Sequence, residues 1–81
     1  METKEIAKIA AICERTVYNC VRGENASYDA VFLSTGSENR QLLMVNDYME
    51  YTMKLYTRQR KDKVSEWGEW KFAGTLSPEN K

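Results

Sequence analysis

The chain has 81 residues, enough for one small domain with a modest core. Its 12 Lys and Arg residues balance 12 Asp and Glu residues, so it lacks the positive net charge usual for a free-standing DNA-binding protein. It has no histidine, no glycine-rich phosphate loop and no nucleophile elbow, and these absences predict a protein that is not an enzyme.

Two short amphipathic helices joined by a tight turn are predicted over residues 3–22. Thr3 can cap the first helix by accepting a hydrogen bond from an early backbone N–H. The apolar residues recur at helical spacing in each helix: Ile6, Ala7 and Ala10 in the first, and Val17, Cys20 and Val21 in the second. Ile12 follows the turn and can fill the angle between the helices. Cys13 and Cys20 would then lie on one helix, roughly 10 Å apart along its axis, so both are expected to be free thiols.

The opposite side of the second helix, residues 14–22, carries polar side chains suited to DNA. Arginine, asparagine and tyrosine are residues that read base edges or hold phosphates. The predicted DNA-binding residues on this helix are Glu14, Arg15, Tyr18, Asn19 and Arg22. Glu14 is expected to accept a hydrogen bond from cytosine or to repel wrong sites.

Residues 11–18 resemble the pattern Gly-Val-Ser-Glu-Arg-Thr-Val-Tyr of many bacterial and phage helix-turn-helix proteins. Ala7 matches the small residue of the family's first helix, and Val17 matches the buried aliphatic residue of its recognition helix. Ala11 and Cys13 depart from the usual turn glycine and serine cap. The resemblance covers about a quarter of the chain and implies DNA binding through the second helix. The alternative is a helical pair whose polar face is merely solvated.

A β-hairpin is predicted next. Residues 28–33 are β-branched and aromatic, residues 34–39 are rich in turn formers, and residues 40–45 can form the returning strand. A helix pair followed by a hairpin resembles the winged helix-turn-helix of excisionase-like and MerR-like proteins. That resemblance implies a wing that brings Arg40 near DNA phosphates. The alternative is one long helix over residues 37–61, without a wing.

A long amphipathic helix is predicted over residues 46–60. Asn46 can cap it, and Asp47 suits its first turn. Its apolar stripe recurs at helical spacing: Val45, Tyr48, Met49, Thr52, Met53 and Tyr56. Tyr51 and Leu55 widen the stripe beyond what so small a chain can cover, so a homodimer through this helix is expected.

Five cations in residues 54–63 form a basic segment, in which Asp62 is the one acid. Such a segment can supply the positive surface that DNA phosphates require. It is equally consistent with a solvated helix end that complements the helix dipole. Beyond it, residues 64–81 are predicted to form an aromatic and polar tail, disordered at its end. Trp67 and Trp70 either fold back to complete the core or supply a dimer interface.

Together these elements predict a mainly α fold with a small β-hairpin, in which a winged helix-turn-helix domain over residues 1–63 ends in the long amphipathic helix. The predicted function is sequence-specific binding of double-stranded DNA by a homodimeric transcriptional regulator. The alternatives are a mobile-element or phage protein, of the excisionase or repressor type, and a protein-interaction module that has the helix-turn-helix shape but does not bind DNA.

No cofactor, metal or small-molecule substrate is predicted, because two cysteines at this spacing without histidine offer no tetrahedral site. No stretch is apolar for long enough to span a membrane, and the N-terminus lacks the hydrophobic core of a signal peptide. A cytoplasmic protein is therefore expected.

Overall fold

The structure, a computed structural model, describes residues 2–23 and 27–76. In these residues one helix is followed by five strands: α1 (Thr3–Glu14), β1 (Cys20–Arg22), β2 (Tyr28–Ser34), β3 (Arg40–Asp47), β4 (Thr52–Gln59) and β5 (Lys71–Leu76). The strands form one antiparallel sheet in the order β1-β2-β3-β4-β5, so each strand pairs with its neighbour in sequence. The predicted mainly α fold is therefore wrong.

Helix α1 is the part of the predicted helix pair that forms. Glu2 is its N-cap residue, and the backbone N–H of Glu2 donates to the Glu5 carboxylate at 3.1 Å, so the predicted cap Thr3 is already helical. The buried residues of α1 follow the spacing i, i+3, i+4 and i+7: Ile6, Ile9, Ala10 and Cys13. Ala7, predicted to belong to this stripe, is exposed.

The predicted recognition helix over residues 14–22 is wrong. After α1 the chain turns, Asn19 adopts a left-handed backbone with φ 56°, and β1 begins at the next residue. The Thr16 hydroxyl holds this turn, because it donates to the Cys13 carbonyl at 2.8 Å and accepts from the Cys20 N–H at 2.9 Å. Of the three residues of β1 only Val21 is β-branched, so the strand forms mainly through its pairing with β2. Val17, predicted to be buried, is 86% exposed.

The predicted hairpin is confirmed. β2 and β3 pair along their whole length, from Tyr28 opposite Asp47 to Ser34 opposite Gln41. The intervening turn contains Glu38 in the left-handed region, with φ 64°. The alternative of one helix over residues 37–61 is therefore wrong.

The predicted long helix over residues 46–60 is also wrong, because the chain reverses direction between β3 and β4. The Asp47 carboxylate accepts from the backbone N–H groups of Met49 at 2.9 Å and Glu50 at 3.2 Å, which closes a turn instead of starting a helix. The apolar residues of the predicted helical stripe therefore lie in different places. Tyr56 lies in the core, Met53 is half-buried on β4, and Met49 is exposed in the turn.

The hydrophobic core lies between α1 and one face of the sheet. The strands contribute Ala30, Phe32, Leu43, Val45 and Tyr56. Trp70, from the connection between β4 and β5, packs edge-on against Phe32 with ring centroids 6.4 Å apart. Of the two interpretations of the tryptophans, completion of the core is therefore confirmed for Trp70. The predicted disordered end, residues 77–81, lies outside the described residues.

Candidate functional site: the uncovered face of the sheet

Within the described residues, the sheet face opposite α1 has no covering layer. Side chains alternate between the two faces of a strand, so the neighbours of each buried residue point to the other side. We call that side the open face. The three central strands contribute mostly apolar side chains to it: Val31, Leu33, Leu42, Met44, Met53 and Leu55.

The strand register arranges the open face in rows that run across the strands. The middle row is Cys20, Val31, Met44, Leu55 and Gly74. The row on one side is Leu33, Leu42, Thr57 and Lys71. The row on the other side is Arg22, Asp29, Asn46, Met53 and Leu76. Charged side chains therefore stand at the corners of the open face, and its middle has none.

The open face is accessible to a partner. Leu33 is 47% exposed and Leu76 is 55% exposed, while the apolar residues between them are half-buried because they shield one another. An open depression of about 380 Å³ lies in this face, with Cys20, Met44 and Met53 among its lining residues. A contiguous apolar surface of several hundred Å² on a small protein typically marks an interaction site.

One corner of the open face is held by hydrogen bonding. Asp29 is the register partner of Arg22, and its carboxylate also accepts a hydrogen bond from the hydroxyl of Tyr48 in the turn after β3. This bond raises the pKa of Tyr48, because ionisation of the phenol would place two negative charges side by side. The corner is thus a polar rim beside the apolar middle.

The sequence-predicted DNA-binding residues do not come together on one surface. Four of them lie at the end of α1 and in the turn that follows: Glu14, Arg15, Tyr18 and Asn19. Arg22 and Arg40 both point to the side of the open face, but from opposite ends of the sheet and two strands apart. The Asn19 carbonyl accepts from the Phe32 N–H at 2.8 Å, which is a structural contact. Since residues 15–22 contain no helix, the helical presentation predicted for these residues is wrong.

Sequence reasoning missed the open face because it assigned residues 46–60 to a helix. A signal was nevertheless present in residues 42–45, which are four successive apolar residues. In a strand such a run covers both faces, and a strand that is apolar on both faces requires a covering layer on each side. That signal alone did not show which neighbouring strands would widen the surface.

The cysteines do not form a reactive or metal-binding pair. Both are free; Cys13 is buried in the core, and Cys20 is exposed on β1. Burial raises the pKa of the Cys13 thiol to about 11. In residues 2–23 and 27–76, no three His, Cys, Asp or Glu side chains are grouped to hold a metal ion. The same residues include no helix with the length and apolar character needed to cross a membrane.

Comparison with known proteins gives no relative for the chain. No family model matches it, and neither a curated protein nor a solved structure does. Its function is therefore inferred from the surfaces of the molecule.

Proposed function

We propose that this protein is a non-enzymatic interaction module that associates with a second copy of itself through the open face. The observation that carries the proposal is the uncovered apolar middle of the sheet, above all Leu33, Leu42 and Met44. Removing apolar surface from water contributes about 25 cal/mol per Å², so covering this face stabilises an assembly.

The size of the open face supports a dimer. Adjacent strands lie ~4.8 Å apart and the rise per residue is ~3.3 Å, so five strands and three rows of side chains present roughly 400–500 Å². Two copies packed face to face would together bury on the order of 1,000 Å², the lower limit for a specific protein interface. A two-fold arrangement of two sheets is closed, so association stops at the dimer.

The charge distribution also favours a second copy. Arg22 and Asp29 have opposite signs and are register partners, so they partly neutralise each other at the corner. The middle row contains no ionisable side chain except the Cys20 thiol. Lys71, like Arg22 and Asp29, stands at the rim of the open face. Packing the middles of two copies together therefore buries no unpaired formal charge, whose desolvation would oppose association.

Sedimentation velocity over a concentration series tests the proposal. The wild-type chain is expected to move from monomer to dimer as its concentration rises. Leu33→Lys and Leu42→Lys should each shift it towards monomer, because the ammonium group would have to be buried against apolar side chains. The control Val64→Lys adds the same charge at a position that is 93% exposed and outside the sheet, and should leave association unchanged.

Circular dichroism should show the same fold for all three variants. A wild-type chain that remains monomeric at every concentration would overturn the proposal. Self-association that persists undiminished in both Leu→Lys variants would show that a different surface is used.

A further inference from the structure

A polar cleft of about 280 Å³ lies at the end of the sheet where β3 begins and β4 ends. Its lining residues are Thr35, Ser37, Asn39, Arg40, Gln59 and Arg60. All six side chains can donate hydrogen bonds, and none of them carries a negative charge. A cleft with this composition is suited to an anion.

Neutral amides, and not carboxylates, hold the two arginines of this cleft. Nη2 of Arg40 donates to Oε1 of Gln59 at 2.9 Å, across the β3–β4 pair. Nε of Arg60 donates to Oδ1 of Asn39 at 3.1 Å, and its Nη2 donates to the Glu38 carbonyl at 2.9 Å. An amide oxygen orients a guanidinium group much as a carboxylate does, but it leaves the positive charge uncancelled.

A third arginine beside the cleft is also held by a neutral amide oxygen. Nε of Arg58 donates to Oε1 of Gln41 at 2.6 Å. Arg58 and Arg60 also lie over the ring of Trp67, with their guanidinium carbons 4.7 and 4.5 Å from its centroid. The ring and the amides thus fix the two cations in place, and neither brings a compensating negative charge.

Carboxylates act on two of these arginines without forming an ion pair: Glu14 on Arg58 and Asp62 on Arg60. The ion pairs within residues 2–23 and 27–76 are Lys54 with Glu50 and Lys63 with Glu38, at 2.9 and 3.5 Å. The Glu38 carboxylate, in the turn that borders the cleft, is therefore engaged by a lysine. Arg40, Arg58 and Arg60 all remain outside ion pairs in this part of the chain.

From this geometry we infer that the cleft binds a phosphate group in the backbone of a nucleic acid. Guanidinium groups bind phosphate oxygens through paired N–H donors, and the hydroxyls of Thr35 and Ser37 supply further donors. Arg58, next to Arg60 on the core side of β4, and the exposed Lys61 add positive charge beside the cleft. Because these neighbours can contact further phosphates, a polyanionic strand is favoured over a single phosphate ion. By strand alternation Arg40 and Gln59 point to the same side of the sheet as Leu42, so the cleft borders the open face at its end. Binding in the cleft does not require self-association.

Amide-to-acid variants test the inference. Gln59→Glu and Asn39→Asp keep an acceptor oxygen in front of each arginine but cancel its charge. Fluorescence anisotropy would follow a labelled single-stranded oligonucleotide and the corresponding duplex, each at low and at high salt. The wild-type chain should bind at least one of them in a salt-dependent manner, and each variant should bind it roughly tenfold more weakly or worse.

Ala7→Glu is the control, since it adds one negative charge at an exposed position of α1, whose contacts are with β1 and β2. It should change the affinity by less than about twofold, as expected for a charge far from the contact. Leu33→Lys leaves the cleft intact and should still bind, so the outcome does not depend on the proposed dimer.

The probes also separate possible sources of the phosphate. Preference for the single strand or for the duplex would identify the form of nucleic acid, and either result supports the inference. Inorganic phosphate, titrated separately, is the third probe. Its binding without binding of either oligonucleotide would overturn the assignment to nucleic acid. Equal oligonucleotide affinity of the wild type and both acid variants would overturn the site itself.

Discussion

Leu33 and Leu42 are register partners on β2 and β3, and both side chains point away from α1. Phe32 and Leu43, their neighbours along the two strands, are also register partners, and both are buried in the core. This strand pair therefore presents apolar side chains to both faces of the sheet. An antiparallel sheet with one solvated face usually alternates apolar and polar residues, so the second apolar face indicates a second covering layer.

The buried residues of the β2–β3 strand pair should contribute most of the stability of the monomer. Leu43→Ala removes a side chain with no exposed surface and is expected to lower the free energy of unfolding by about 2–5 kcal/mol. Urea denaturation at a concentration where the protein is monomeric measures the change. Ala7→Leu is the control; because Ala7 is exposed on α1, the change should be within about 0.5 kcal/mol. A larger effect at Ala7 than at Leu43 would contradict the packing of α1 described above.

The turn after α1 should depend on one hydroxyl. Thr16→Val keeps the shape of the side chain but removes hydrogen bonds to the Cys13 carbonyl and from the Cys20 N–H. Each such bond contributes about 1 kcal/mol net, so the urea midpoint should fall measurably. Thr75→Val should have little effect, since that exposed hydroxyl makes no hydrogen bond within the described residues. Equal midpoints for wild type and Thr16→Val would show that the hydroxyl does not hold the turn.

The two thiols should react differently with iodoacetamide. Cys13 is buried and burial raises its pKa to about 11, so it should stay unreactive until the protein unfolds. Cys20 is exposed in the middle row of the open face, so its alkylation should slow as protein concentration rises and the dimer forms. Mass spectrometry of the alkylated peptides measures both rates. A Cys20 rate that is independent of concentration, in a sample that does dimerise, would place the interface elsewhere.

The contribution of Tyr48 to the stability of the fold should fall at alkaline pH. The hydrogen bond to Asp29 raises the pKa of Tyr48 above its ordinary value of 10.0, so the folded state favours the neutral phenol. This contribution is fully present below the unfolded pKa and is lost as the pH rises through the higher folded pKa. Wild type should thus be more stable than Tyr48→Phe at neutral pH, and the difference should shrink at high pH.

Thermal unfolding of both proteins between neutral pH and pH ~11 measures this difference. Tyr51→Phe is the control, because its exposed hydroxyl makes no hydrogen bond to a carboxylate in the described residues. A stability difference that did not change with pH would mean that the Tyr48 hydroxyl is not bound to an ionised partner.

The hairpin and α1 can be predicted from sequence because their determinants are local. Residues 28–33 and 40–45 have strand composition and are separated by turn formers, while Ile6 and Ala10 recur at helical spacing. β1 cannot be predicted in this way. Its three residues become a strand through pairing with β2. A local helix-turn-helix pattern contains no information about that contact.

Asp47 explains why the sequence of residues 46–60 predicts a helix, although the structure has a turn and a strand there. A carboxylate that accepts from the next backbone N–H groups is found both at the start of a helix and in a tight turn. The apolar residues around it happen to fit helical spacing, although the chain reverses between β3 and β4. The excess of apolar residues is visible in the sequence and predicts a partner. Their position on one face of a sheet cannot be predicted from the sequence, because it depends on the register of three strands.

Isotope-filtered NMR on a mixture of labelled and unlabelled chains tests the face-to-face dimer most directly. Contacts between the two kinds of chain can arise only at an interface between copies. We predict such contacts among the methyl groups of the open face: Val31, Leu33, Leu42, Met44 and Leu55. Methyl groups of the core, such as those of Ile6 and Leu43, should show contacts within one chain only. A folded sample that shows no contacts between chains at the open face at any concentration would contradict the account.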